Sequence, residues 1–240
     1  MITRFSVDNY GMIIGLVLLA IVALLLLFGV AGRVFKSFGV SYPFAYLMVG
    51  ALIGCAFIPS FKLGSAIFYV GGFVVPVVFA AVFFVLAARY REAWRALVTS
   101  FATAALYIAV RLLIEPITSE LVTSITLGFL CGAGAYLLGK TKVSALTSVF
   151  CGFALGEVIS SAVRVYAGEV MRLGAKSVFD ALIIAAVFSV LLYELVAAIK
   201  RATVRRHGRT ACENAEASEE FDPDRDCDCD PDEYKKYFDE

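Results

Sequence analysis

Histidine is almost absent from these 240 residues: His207 is the only one, and it lies in a basic stretch, where it reads as a lipid-facing charge partner and not as a catalyst. No P-loop, nucleophile elbow, HExxH zinc-protease motif or dinucleotide fingerprint occurs, so the sequence carries none of the usual machinery for nucleotide, ester or metal-dependent peptide chemistry. Charge is scarce as well, at 18% Asp, Glu, Lys and Arg. Six cysteines divide between the apolar segments (Cys55, Cys131, Cys151) and the tail (Cys212, Cys227, Cys229), with no pair where an extracellular loop would place a disulfide. Cys227 and Cys229 form a CxC among aspartates of Asp222–Asp232, which lacks the four-ligand spacing of a zinc site and the ligand ladder of an EF-hand. That stretch therefore reads as a solvated acidic tail, and no metal or cofactor is expected.

What is abundant is apolar sequence, 60% of the chain. It falls into seven runs, roughly 11–31, 40–59, 64–88, 96–114, 121–139, 143–163 and 177–199. Each holds about 19 to 25 residues, enough at about 1.5 Å per residue to cross about 30 Å of hydrocarbon. Backbone polar groups in such runs are satisfied only by helices, and the alternation of a membrane barrel is missing. The fold class is all-α: a polytopic helical bundle of about seven helices in the lipid bilayer. The first run exceeds the 7–15-residue apolar core of a signal peptide and is expected to stay as a helix.

Basic residues in alternate connections set the orientation. One side holds Arg33, Lys36, Arg89, Arg91, Arg95, Lys140, Lys142, Lys200, Arg201, Arg205, Arg206 and Arg209; the other holds Arg4, Lys62, Arg164, Arg172 and Lys176, with Arg111 near its edge. The richer side is cytoplasmic by the positive-inside rule, so the N-terminus faces out and the C-terminus in. Residues 1–200 form the membrane domain. Residues 201–240 form a cytoplasmic tail, basic then acidic and largely disordered by composition. Lys200, Arg201, Arg205, Arg206 and Arg209 suit anionic lipid, and the acidic remainder suits a protein partner. Nothing in the charge pattern points to nucleic acid.

Two acids stand near the outer ends of the apolar runs: Glu157 near the outer end of the sixth and Asp180 near the outer start of the seventh. Carboxyl groups there must be paired, protonated or wetted, which makes them candidates for an ion or substrate site. Joined by a short connection, the two helices are expected to be neighbours and the two carboxyls to lie at a common depth. Arg111 and Glu115 on the fourth helix complete the candidate set. A structural reading stands beside it, in which Arg111 and Glu115 pair at i, i+4 and the acids cap or pair. Gly152 and Gly156 form a small-xxx-small face for close helix packing. Gly71, Gly72 and Pro76 mark either a broken helix beside a cavity or a simple kink.

The stretches Tyr69-Val-Gly-Gly-Phe-Val-Val-Pro76, Gly152-Phe-Ala-Leu-Gly-Glu157 and Leu173-Gly-Ala-Lys-Ser-Val-Phe-Asp180 resemble a bacterial and archaeal family of membrane proteins, domain of unknown function 1614. The resemblance spans about 16–195, with Asp-like chemistry expected where Glu157 stands. It implies a multi-pass protein of a prokaryotic plasma membrane and no particular activity.

Three functions compete. A small-solute or cation/proton transporter would use Glu157 and Asp180, with helices two to four and five to seven as two oppositely oriented sets. A membrane scaffold would recruit partners through its acidic tail. An intramembrane aspartyl-type protease would need the two carboxyls to share a proton, but the exact GxGD string is missing and the first acid is Glu. The non-enzymatic readings are preferred, with transport ahead.

Overall fold

The computed structural model describes residues 13–28, 42–64, 66–89, 92–114, 119–166 and 170–216. Seven α-helices lie among them: α1 Ile13–Leu27, α2 Tyr42–Ala56, α3 Val75–Arg89, α4 Ala93–Ile114, α5 Glu120–Gly139, α6 Lys142–Tyr166 and α7 Lys176–Glu216. Five stretches are long and apolar enough to cross a membrane: 70–89, 93–114, 120–139, 142–166 and 177–203. The first two helices are shorter, at 15 residues each. That is about 22 Å, less than the hydrocarbon thickness the full-length apolar runs would match. The chain divides into two units, Met1–Tyr193 and Glu194–Glu240. In the second unit α7 continues past Lys200 to Glu216, and Arg201 meets Glu194 at 3.8 Å. Residues 217–240, including Cys227 and Cys229, lie outside the described residues.

The third apolar run does not begin as a helix. Phe61–Leu63 (β1) and Ala66–Phe68 (β2) form a small antiparallel hairpin, and Gly64 takes the left-handed φ of +62° that such tight loops require. β2 then pairs in parallel with β3, Met171–Leu173, so that Phe68 faces Leu173 across the ladder. A π-helical turn at Val70–Val74 follows before α3 starts at Val75. The irregularity at Gly71 and Gly72 thus precedes the helix, and Pro76 sits in the first turn of α3, where a missing N–H costs little. Alternation of hydrophobicity is too weak over three-residue strands to be read against an apolar background.

Two contacts tie connections to one another. The β2–β3 pairing joins the α2–α3 and α6–α7 connections. The Thr141 hydroxyl donates to Glu92 at 2.5 Å and joins the α3–α4 and α5–α6 connections. Each pair of connections therefore shares one end of the bundle, as helices alternating in direction require.

α6 is the axis. Of its membrane-length stretch 72% is buried, against 28–39% for the other four. Apolar surface gains little by leaving lipid for protein, so the packing rests on close approach and dispersion. Phe150 stacks on Phe83 at 5.5 Å, and Phe153 meets Tyr107 edge-on at 5.1 Å. Buried hydroxyls return their protons to their own helices: Ser100 to Ala96 O, Thr103 to Thr99 O and Thr147 to Val143 O. Such i−4 bonds keep polar side chains satisfied where no water is at hand.

Candidate functional site

On α4, Tyr107 and Arg111 are one turn apart and face α6, and the Arg111 guanidinium donates to the Tyr107 hydroxyl at 2.7 Å. Both reach Glu157 Oε2: the tyrosine donates at 2.5 Å, and Arg111 forms a hydrogen-bonded ion pair with it. The other carboxylate oxygen, Oε1, accepts the backbone N–H of Gly174 at 3.2 Å. Tyr107, Arg111 and Glu157 are 0%, 8% and 1% exposed, so this is a buried ion pair with every carboxylate oxygen occupied. A pair so enclosed needs those extra hydrogen bonds to offset the desolvation of two charges.

Close helix packing brings the pair together. A Cβ on Gly156 would stand 2.6 Å from the Tyr107 ring, and one on Gly152 would stand 2.7 Å from Thr103 Cβ. The small residues of α6 therefore let α4 approach at the level of Glu157. One turn further along α6, the Ser161 hydroxyl donates to Arg172 O at 2.8 Å. Glu157 and Ser161 thus hold the segment leading from β3 into α7 at two points. Gly174, with φ +77°, packs against the π turn so tightly that a Cβ on Gly72 would stand 2.0 Å from its carbonyl oxygen.

Asp180 goes elsewhere. Its Oδ1 accepts the Gly15 N–H at 2.8 Å, in the first turn of α1. A carboxylate from α7 thereby caps another helix, where unsatisfied N–H groups and the helix dipole favour negative charge. Gly15 permits the approach, since a Cβ there would stand 2.4 Å from that oxygen. Asp180→Asn, which keeps an accepting oxygen, is expected to cost little, whereas Asp180→Leu is expected to cost about 1–2 kcal/mol, the usual worth of a helix cap. Thermal unfolding together with hydrogen exchange in α1 checks this, and equal effects of the two substitutions would refute the capping role.

Glu157 and Asp180 share no hydrogen bond among the described residues. Glu157 stands nine residues from the end of α6 and Asp180 four from the start of α7, about 14 and 6 Å along their helices. The structure joins Glu157 with Arg111 instead, and Glu115 lies outside the described residues. The two carboxyls that an aspartyl-type reading would have share a proton are bonded to different partners, Glu157 to Tyr107 and Arg111 and Asp180 to Gly15. Sequence reasoning missed Tyr107, Gly174 and Gly15. Tyr107 left one sign, a phenol one helical turn before the intramembrane Arg111; the two glycines act through backbone N–H groups and left none.

Beside the ion pair lies a cavity of about 20 Å³, lined by Arg111, Glu120, Thr123, Ser124, Leu127, Ser177 and Val178. It has room for a water or a group of that size. Thr123 and Ser124 donate to Ser119 O and Glu120 O.

No curated protein and no solved structure matches the chain. A family model of YphA-like integral membrane proteins matches residues 58–211. The match takes in all three motif stretches quoted above and agrees with them on a membrane family, but under a different name from domain of unknown function 1614. By this match, which covers most of its length, the chain belongs to the YphA-like integral membrane protein family.

Proposed function

We propose that this integral membrane protein is a carrier or channel for a small polar solute or ion, with the Arg111–Glu157 pair as its working site. One observation supports the reading above others: a buried ion pair, set among membrane-length helices, borders a hydroxyl-lined cavity. Ionisable groups at such positions commonly mark ion and substrate paths. The role passes from the two acids to a cation–carboxylate couple, because Glu157 is engaged by Arg111 and Asp180 by α1. In the working cycle a solute or a proton competes for one partner of the pair, which frees the other. The plasma membrane, with the N-terminus outside, is the setting the basic connections favour.

Uptake of protons, sodium, potassium and chloride into liposomes carrying the full chain tests this. Arg111→Lys keeps the charge but loses the planar fork that binds tyrosine and carboxylate together. It is expected to lower uptake at least about tenfold, a loss equivalent to about 1.4 kcal/mol, while the protein stays folded. Uptake equal to that of empty liposomes, or unchanged by Arg111→Lys, would overturn the assignment.

A membrane scaffold acting through its acidic tail is the second reading. It is favoured by the complete hydrogen bonding of Glu157, which needs no ligand to explain it. Deleting residues 217–240 separates the two, since a carrier keeps its uptake and a scaffold loses its partner.

A further inference from the structure

The cavity beside Arg111 admits one guest of about the size of a water, so a larger solute reaches the ion pair only if a wall moves. Two walls are fixed by close packing. Arg111 stands on α4, which lies against α6 across Gly152 and Gly156; Thr123, Ser124 and Leu127 stand on α5, where a Cβ on Gly128 would come within 2.7 Å of Ile184 on α7. The third wall, Ser177 and Val178, follows Gly174 by three and four residues. The segment that leads into it is fastened differently. β3 pairs with β2, Leu173 O accepts the Tyr69 N–H at 3.0 Å, and the Gly174 carbonyl lies against Gly72, so β2, the π turn and β3 form one strap. From α6 two side chains hold it: Ser161 at Arg172 O and Glu157 at the Gly174 N–H. Where the strap meets α3, Pro76 has no N–H to give the Gly72 carbonyl four residues back, and the π turn carries two glycines. That joint is made without a helix bond and with the least hindered backbone, which suits a hinge.

We propose that this strap is a gate over the cavity and that Glu157 is its latch. The two oxygens of Glu157 belong to one planar group: Oε2 faces Tyr107 and Arg111, and Oε1 faces Gly174. A solute or proton that competes for Oε2 turns or neutralises the whole carboxylate, and Oε1 then gives up the Gly174 N–H. Residues 171–178 are thereby released between the glycine turn on one side and Asp180, held by Gly15, on the other. Ser177 and Val178 draw back from Arg111, and the cavity widens. Strands of three residues lie at the low end of local stability, where moving elements are found. The gate serves the carrier function proposed above and rests on that reading; the latch is tested apart from it.

Hydrogen exchange of the full chain in lipid nanodiscs, read by mass spectrometry, tests the latch. Glu157→Asp keeps the charge but is one methylene shorter, so its carboxylate reaches Arg111 or Gly174 and not both. It is expected to speed exchange in 66–74 and 171–178 about tenfold, as the loss of one hydrogen bond does to a local opening, and to change 123–139 of α5 less than about twofold. Ser161→Ala loosens the strap without touching the pair. It is expected to speed exchange in the same two stretches about threefold or more and, in liposomes, to raise about twofold the uptake of whichever of proton, sodium, potassium and chloride the full chain carries. If Glu157→Asp does not fold, Ser161→Ala decides alone. Exchange in the strap that stays unchanged, or that rises equally in α5, would overturn the latch. Uptake that fails to rise in Ser161→Ala while its strap exchanges faster would overturn the gate. No uptake by the unaltered chain would strike down the carrier reading and the gate with it, with exchange still deciding the latch.

Discussion

Glu157→Gln is expected to lower stability by about 3–5 kcal/mol, the range for removing one partner of a buried salt bridge. Glutamine matches the shape and offers one oxygen to Tyr107 or Gly174, so the loss is electrostatic: Arg111, 8% exposed, loses the carboxylate charge it is paired with. In a chain of this size such a loss corresponds to a fall in Tm on the order of 10 °C. The double replacement Arg111→Met with Glu157→Leu removes both charges and is expected to recover most of that loss, because two charges no longer need to be held out of water. Tyr107→Phe is expected to fall between, at about 1–3 kcal/mol, since it leaves one carboxylate oxygen short of a donor. Thermal unfolding of the four proteins in one detergent decides the matter. A Glu157→Gln protein as stable as wild type, or a double variant less stable than Glu157→Gln, would show that the pair does not hold the bundle together.

Gly72→Ala is expected to destabilise by about 3 kcal/mol or more, at or above the upper end for overpacking. The added methyl would stand 2.0 Å from the Gly174 carbonyl oxygen and 2.8 Å from its carbon. Those are backbone atoms, fixed on one side by the β3 ladder and on the other by the Gly174 N–H bond to Glu157. A flexible side chain swings aside, whereas this carbonyl moves only by carrying the strand and the hydrogen bond with it. Gly50→Ala, on α2 with nothing within 4 Å of the new methyl, is the matched control. There a gain of about 0.5–1 kcal/mol is expected, because alanine suits a helix interior better than glycine. If the two alanine substitutions shift Tm alike, the tight contact between the π turn and the strand connection is refuted.

Seven helices were legible because length and hydropathy carry over directly into helix number in lipid, and α4 to α6 begin and end within about three residues of their apolar runs. The sheet was hidden for the same reason. Ala66–Phe68 lies inside an apolar run, which reads as helix whether or not its end pairs as a strand, and Phe61–Leu63, with Lys62 at its centre, falls between runs and is too short to show alternation. For the site, the sequence named Arg111 and Glu157, since charges stand out against an apolar background. It paired Glu157 with Asp180, however, because connected helices suggest nearness. The partner of Glu157 was fixed instead by where α4 approaches α6, across Gly152 and Gly156, and helix rotation is not written in hydropathy. The backbone donors Gly15 and Gly174 could not be read at all, as any residue carries an N–H.

The three-stranded sheet bears on how the chain is made. Phe68 leaves the ribosome 105 residues before its partner Leu173, and four helices must enter the bilayer between them. If any one of the four fails to insert, every later segment is delivered to the wrong compartment, and β2 and β3 are left on opposite faces of the membrane with no chance to meet. The ladder therefore forms only when the number of crossings between its strands is even. It acts as a parity check on insertion, and a chain that fails it keeps an unpaired strand edge exposed to the quality-control proteases of the membrane.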